Sequence, residues 1–318
     1  MSFDHRIASD HGISFLALDA DGTECVVTAS PTLDRPVVGD YVAIDAGARV
    51  TAIAPRRGVL ARARGDRGNT PQIVAAHLDV VFIVTSPGRD FSPPRVERYL
   101  AAVHAGGIAP VVILNKSDLA DGPTSLLIEL AVVAGDAPVH AVSAVTGDGF
   151  GALIPYPESG TTIAVVGSSG VGKSTIANRL LGDTRRATGA IRESDGRGKH
   201  TTTARELIAL PSGGWLIDTP GMRAFAPWAD EAALAETFAD VDDAAARCRF
   251  RDCRHETEPS CAVIAEVGDA RLARWRALRA EVAHLERRDD PALTAANKQR
   301  WKAIAKGQRQ LARARGRL

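Results

Sequence analysis

The run Gly167-Ser168-Ser169-Gly170-Val171-Gly172-Lys173-Ser174-Thr175 fits G-x-x-x-x-G-K-[ST] at every fixed position. It constrains the fold because it requires a strand before it and a helix after it. Thr161 to Val166 is an apolar run that reads as a buried strand, and Lys173 to Leu181, apolar at Ile176, Ala177, Leu180 and Leu181, reads as a helix. Between them, Gly167 and Gly172 can take backbone angles closed to other residues, so that amide N–H groups close around a phosphate at the positive end of the helix. Lys173 is expected to reach the β- and γ-phosphates, the Ser174 hydroxyl to ligate Mg²⁺, and Thr175 to help seat the α-phosphate. The alternative is a Gly/Ser turn that fits by chance, which the strand-turn-helix setting disfavours. The motif points to a nucleoside triphosphate and leaves the base open.

The base is addressed by Asn115-Lys116-Ser117-Asp118, an N-K-x-D sequence at the end of the apolar run Val111 to Leu114. A carboxylate at Asp118 can accept both N1–H and the exocyclic amine of guanine, Asn115 can bond the other side of the base, and the Lys116 stem can lie along its plane. Adenine lacks that donor pair and would leave a buried carboxylate unpaired, at about 1–3 kcal/mol or more. Ser143-Ala144, followed by Gly147 and Gly149, ends another strand-like run and is expected to supply backbone contacts to the base.

Two further segments complete a phosphate switch. Gly182 to Ala204 is polar and rich in Gly, Arg and Thr, and reads as a mobile loop. One of its threonines, Thr202 in preference to Thr201, is a candidate Mg²⁺ and γ-phosphate ligand. Trp215-Leu216-Ile217 then leads into Asp218-Thr219-Pro220-Gly221, where Asp218 would hold the Mg²⁺ shell through water and the Gly221 N–H would sense the γ-phosphate. These are the parts of a GTPase in permuted order. Ordinarily the phosphate loop and switches precede N-K-x-D, whereas here Asn115-Asp118 and Ser143-Ala144 come first. A circular permutation explains the order, and it makes the second switch lead directly into the C-terminal part of the chain.

Around this centre the texture of the chain changes twice. Residues 1 to about 70 carry short β-like runs (Ile13 to Leu18, Cys25 to Thr28, Val37 to Ile44, Val50 to Ile53) separated by turn signals, the pattern of a small barrel or sandwich. Arg56, Arg57, Arg62, Arg64 and Arg67 crowd its end, as a solvated loop or as an RNA contact. From about residue 72, runs at Val80 to Thr85, Val111 to Leu114 and Val139 to Ser143 alternate with helical stretches at Pro94 to Ala105 and Thr124 to Ala134. That alternation predicts a parallel sheet with crossover helices, continuous with the phosphate-loop strand.

Beyond the second switch stands Cys248-x₄-Cys253-x-His255-x₅-Cys261. Three thiolates and an imidazole complete a tetrahedral Zn²⁺ shell and leave no place for a catalytic water, so the site reads as structural; buried thiols beside a surface histidine are the alternative. Leu272, Trp275, Leu278, Val282 and Leu285 then recur at helical spacing. With 318 residues, 45% of them apolar, the chain can build two or three domains, and it shows neither a signal-peptide pattern nor a long apolar run, which points to the cytoplasm. The net charge of +1 hides residues 291–318, which hold eight basic side chains and no acid. A solvated helix competes there with contact to a phosphate backbone.

Taken together, the N-K-S-D, G-S-S-G-V-G-K-S-T, G-R-G-K-H-T-T-T (Gly196 to Thr203), D-T-P-G and C-R-F-R-D-C-R-H segments resemble the circularly permuted, small-ribosomal-subunit-dependent GTPase A family, RsgA or YjeQ. The resemblance implies an α/β fold in three parts: an OB-type β-barrel over 1–70, a circularly permuted P-loop GTPase domain with a parallel sheet over 71–226, and a zinc-binding, mainly helical domain over 227–318. It implies a factor in late maturation of the small subunit that binds rRNA and leaves on GTP hydrolysis. The expected partners are GTP, GDP, the small subunit and its rRNA, with no membrane; the chain is expected to act as a monomer. Met222 stands where many GTPases place a water-orienting glutamine, so the bound subunit is expected to order the water through His200 or a group of its own. An RNA-binding chaperone using GTP as a conformational ligand is the main alternative, and a small-molecule P-loop kinase is disfavoured because it would leave N-K-S-D idle.

Overall fold

The computed structural model of the chain describes residues 2–62, 71–182, 205–218 and 229–289, the side chains of 284–289 excepted. Five strands come first: β1 (His5–Asp10), β2 (Ser14–Leu18), β3 (Glu24–Ala29), β4 (Tyr41–Ile44) and β5 (Arg49–Ile53). They pair in the order β1-β2-β3-β5-β4, β3 runs parallel to β5, and β1 also pairs with β4, which closes an OB-like barrel. Ile7, Phe15, Ala17, Val27, Val42 and Val50 fill its interior. The sequence reading starts the first strand at Ile13 and misses β1. The reason is that His5-Arg6-Ile7-Ala8-Ser9-Asp10 mixes charges with apolar residues, and Arg6 is buried at a seam where a charge is not expected. Yet β1 is the strand that closes the barrel, since it pairs with both β2 and β4.

The arginine cluster divides. Arg56 donates to the wholly buried Asp40 through Nε at 2.8 Å and Nη2 at 2.7 Å, so it braces the fold. Arg62 donates to Gln72 at 3.0 Å, and Arg64 and Arg67 lie outside the described residues. A two-stranded ribbon of β6 (Leu60–Arg62) and β7 (Gln72–Ala75) spans this point.

The second sheet is built from β8 (Val80–Thr85), α1 (Pro93–Ala105), β9 (Ala109–Leu114), α2 (Thr124–Ala134), β10 (Val139–Ala141), β11 (Thr162–Gly167), α3 (Lys173–Leu181), β12 (Glu206–Ala209) and β13 (Trp215–Asp218). Strands β10-β9-β8-β11-β13 are all parallel, and β12 runs antiparallel to β13. The apolar runs follow from burial on both faces. Val81 and Ile83 of β8 pack with Val96, Leu100 and Val103 of α1, while Phe82 and Val84 face the layer of Ile176 and Leu180 of α3. A single bridge, Ser9 to Glu206, joins β1 to β12 and makes the barrel edge continuous with this sheet. Arg6 reinforces that seam by donating to Thr162 Oγ1 at 2.7 Å and lying over the rings of Tyr41 and Trp215.

The last described part is helical: α4 (Glu231–Thr237), α5 (Ala239–Ala245), α6 (Ala262–Glu266) and α7 (Asp269–Asp289). Asp230 caps α4, accepting the Ala233 N–H at 2.9 Å. Leu272, Trp275, Leu278 and Val282 of α7 are buried against Phe238, Val241 and Val263, as their spacing predicts; the Leu285 side chain is outside the described set. No helix among the described residues is long and apolar enough to cross a membrane.

Candidate nucleotide site and metal cluster

The parallel register brings the carboxyl ends of four strands to one edge. Thr85 lies opposite Leu114, Val84 opposite Gly167 and Leu114 opposite Ala141, so the loops that follow β8, β9, β10 and β11 emerge together. This crevice outside the strand ends is where open α/β sheets bind ligands. Asn115, Ser143 and Gly167, far apart in the chain, therefore start neighbouring loops.

Asn115 joins them. Its buried side chain donates from Nδ2 to Val171 O at 2.8 Å and accepts the Ala144 N–H on Oδ1 at 3.0 Å. One amide thus ties N-K-S-D to the phosphate loop and to Ser143-Ala144. One Nδ2 hydrogen and one Oδ1 lone pair remain for a base. The approach is close: a Cβ on Gly172, whose φ is +92°, would sit 2.2 Å from Asn115 Nδ2, and on Gly167 it would sit 2.3 Å from Val84 O. Only glycine fits both positions.

The other predicted residues cluster around this joint. Lys116 adopts a left-handed φ of +59°, at a cost of order 1 kcal/mol, and its Cε passes 3.9 Å from the position of a Gly172 Cβ. Ser117 donates its N–H to Val142 O at 3.1 Å, and Asp118 beside it is exposed and accessible. Ser143 is fully buried, and its Oγ accepts the Thr146 N–H at 3.1 Å. In the phosphate loop, Ser168 is half-buried, Ser169 and Gly170 are exposed, and Val171 is anchored in the core. Lys173 Nζ donates to Ser168 O at 2.5 Å, folding back across the loop, with Ser174 and Thr175 next to it on the first turn of α3. Asp218 ends β13, the strand beside β11.

Thr201, Thr202, His200, Thr219 to Gly221, Met222 and the basic tail lie outside the described residues. One contact has no counterpart in the sequence reading. Arg95 of α1 donates to Ser168 Oγ at 2.5 Å across 73 residues, and neither charge nor spacing announces it.

The Cys/His set does converge. The ligand atoms of Cys248, Cys253, His255 and Cys261 all lie within 4.8 Å of one another and could hold a metal ion. Cys248 Sγ is 3.8 Å from Cys261 Sγ and 3.6 Å from His255 Nδ1, and His255 Nδ1 is 3.4 Å from Cys261 Sγ. Cys248 and Cys253 follow α5, Cys261 sits at the N-cap of α6, and α7 backs the group. There Trp275 meets the His255 ring edge-on, and Arg276 donates to the His255 carbonyl.

The comparisons agree with this geometry. A family model described as RsgA GTPase matches residues 53–228, and one described as 50S ribosome-binding GTPase matches 162–298. A relative from Opitutus terrae named small ribosomal subunit biogenesis GTPase RsgA is 42% identical, over 98% of this chain and 92% of its own length. One of the same name from Methanosarcina acetivorans is 43% identical over 85% of this chain and 76% of its own. Among solved structures, YjeQ from Thermotoga maritima (TM-score 0.65, 23% identity, 88% of this chain and 98% of that one) shares the fold. So does YloQ, described as a circularly permuted GTPase (TM-score 0.60, 24% identity, 88% and 94%). With the permuted motif order, the OB-like barrel and the Cys₃His group all in place, the chain belongs to the RsgA GTPase family.

Proposed function

We propose that this protein hydrolyses GTP as a late maturation factor of the small ribosomal subunit, binding its rRNA and leaving once GTP is spent. The observation that carries the reading is Asn115, whose single amide links the guanine-selective sequence to the phosphate loop. Guanine binds between Asp118 and the Ser143-Ala144 loop. Lys173 neutralises charge on the β- and γ-phosphates as the γ-phosphoryl group passes to water. Ser174 and Thr202 would ligate Mg²⁺, and Asp218 would hold it through water. His200, or a group of the subunit, orders the attacking water. The relatives' printed names support the ribosomal part of this reading, which places the protein in the cytoplasm.

The same reading divides the chain into an RNA-binding barrel over 1–70, the GTPase domain over 71–226 and a zinc-binding helical domain over 227–318. Zinc suits the Cys₃His group because tetrahedral bonds of about 2.3 Å to sulfur and about 2.0–2.1 Å to nitrogen place ligands about 3.8 Å (S to S) and about 3.6 Å (S to N) apart. Among Cys248, Cys261 and His255 the separations are 3.8 Å, 3.6 Å and 3.4 Å, and with Cys253 included all four ligand atoms lie within 4.8 Å of one another. A zinc ion held by Cys248 and Cys253 after α5 and by Cys261 at the start of α6 would have a structural part, tying these segments together.

The test is GTP turnover by the purified chain alone, with small subunits and with large subunits. Strong stimulation by small subunits only is expected. Equal slow turnover in all three, with tight nucleotide-dependent binding to small subunits, would replace hydrolysis-driven release by the chaperone reading.

A further inference from the structure

Arg179 has no place in any of the motifs, yet it holds the base loop. It lies on α3, the helix that starts at the phosphate-loop lysine. Its Nη1 donates to Ala144 O at 3.0 Å and to Val145 O at 3.2 Å, and its guanidinium lies over the Phe150 ring, 5.2 Å from the centroid. Gly147 makes room for it, since a Cβ there would stand 2.2 Å from Arg179 Nη2. Phe150 is buried in the core layer that also contains Ile176 and Leu180 of α3, so the arginine's platform is rigid.

We infer that Arg179 is a positioning residue for guanine recognition, acting through the backbone of residues 144–146. A planar peptide points its C=O and the next N–H in opposite directions. Pinning Ala144 O and Val145 O on the helix therefore turns the N–H groups of Val145 and Thr146 away from it. The Thr146 N–H is spent on Ser143 Oγ, and the Ala144 N–H on Asn115. The Val145 N–H is the donor this geometry leaves to meet an acceptor on the base, and guanine O6 is the acceptor that distinguishes it from adenine. Arg179 thus preorganises the loop before nucleotide arrives, and couples it to the helix that begins at the phosphates. The inference rests on the assignment of Asn115-Asp118 and Ser143-Ala144 as the guanine site.

The experiment compares GDP, 6-thio-GDP and xanthosine diphosphate on the full chain and on Arg179→Ala, Arg179→Gln and Asp118→Asn. Sulfur at position 6 is a weak acceptor, so the wild-type chain should bind 6-thio-GDP less tightly than GDP. In Arg179→Ala the affinity for GDP should fall about tenfold, the loss expected for two hydrogen bonds, and the penalty for the 6-thio substitution should shrink towards one. Arg179→Gln, which keeps a neutral NH₂ donor group on a shorter stem, should fall between. A merely structural role would weaken both nucleotides equally, and unchanged affinity for both would also overturn the inference. Asp118→Asn should move preference from GDP to xanthosine diphosphate. If that switch occurs while Arg179→Ala leaves the 6-thio penalty at its wild-type value, the guanine site stands and the role of Arg179 falls. If it does not occur, the site and the inference fall together.

Discussion

The sheet around the phosphate loop and the helices around the Cys/His group reach order by different means. β8 and β11 are buried along nearly their whole length, between α1 on one side and the layer of α3 on the other, and much of their stability comes from apolar area that no single side chain dominates. The C-terminal helices α4, α5 and α6 have only 7, 7 and 5 residues, too short to persist alone. Their core is smaller, and specific polar groups supplement it. Arg271, 5% exposed, donates to Glu97 of α1 at 2.7 Å, to Asp240 at 2.9 Å and to Thr237 O at 3.0 Å, and lies over the Phe238 ring. Arg274 also reaches Glu97, at 2.8 Å. Where apolar area is scarce, order comes to depend on a few ligands and charges. That region should be brittle where the sheet is tolerant.

The largest break should come from the metal ligands. Chelation, or Cys261→Ser, should melt α4 to α6 at a lower temperature than the sheet, because a metal held by the Cys₃His group would supply folding energy that the short helices lack. Circular dichroism should show an early partial loss of helix, while fluorescent GDP still binds. One unchanged cooperative transition would erase the contrast. A smaller effect should follow Glu97→Gln. Removing the carboxylate leaves Arg271 with Asp240 as its remaining acidic partner, and the expected cost is about 3 kcal/mol, the low end for breaking a buried pair. Ile163→Val in β11, a deletion of one methylene, should cost only about 1 kcal/mol. Denaturant melts of the two variants measure the difference directly, and equal losses would show that the polar network is no more brittle than the sheet.

Legibility of the chain follows the same division. The phosphate-loop strand and helix, the α2 range Thr124–Ala134 and the β8 range Val80–Thr85 were readable because apolar period and burial coincide there. The Cys₃His group was readable because ligand spacing is local. β1 was missed because closure of the barrel is a long-range event and four of its six residues are polar. β12, Glu206–Ala209, is a short strand defined by its neighbours, the antiparallel β13 and the single bridge to β1. The joints of the site were illegible for a further reason. Asn115 to Val171, Arg95 to Ser168 and Arg179 to Ala144 are contacts between residues 35 to 73 positions apart, and each depends on which loops the sheet register places side by side. Motifs name the groups that touch the ligand, and the groups that hold those motifs in place appear only with the fold.

The smallest expected effect compares the two seams through pH. Burial pushes the imidazoles of His77, at the junction between the barrel and the sheet, and of His104, between α1 and α4, below their ordinary value of 6.5. At His104 this is opposed by the nearby Glu236 carboxylate, 3.9 Å away, and its Nδ1 lies 3.1 Å from the Thr237 hydroxyl. His77 Nδ1 and Nε2 are buried without a hydrogen-bond partner. A histidine whose folded value is depressed binds fewer protons folded than unfolded. Its contribution is therefore complete above about pH 6.5, and stability falls as pH drops through that value towards the folded one. Melting temperature should decline between pH 7.5 and 5.5, and His77→Phe should flatten that slope more than His104→Phe does. At His77 the opposing Asp40 carboxylate is itself countered by Arg6, Arg57 and Arg56, whereas at His104 the Glu236 carboxylate opposes burial with no cation against it among the described residues. The slope, and not the absolute stability, is the readout, since the left-handed φ of +58° at position 77 disfavours phenylalanine at every pH. A melting temperature that stays level over this range would mean that neither seam excludes water well enough to resist protonation.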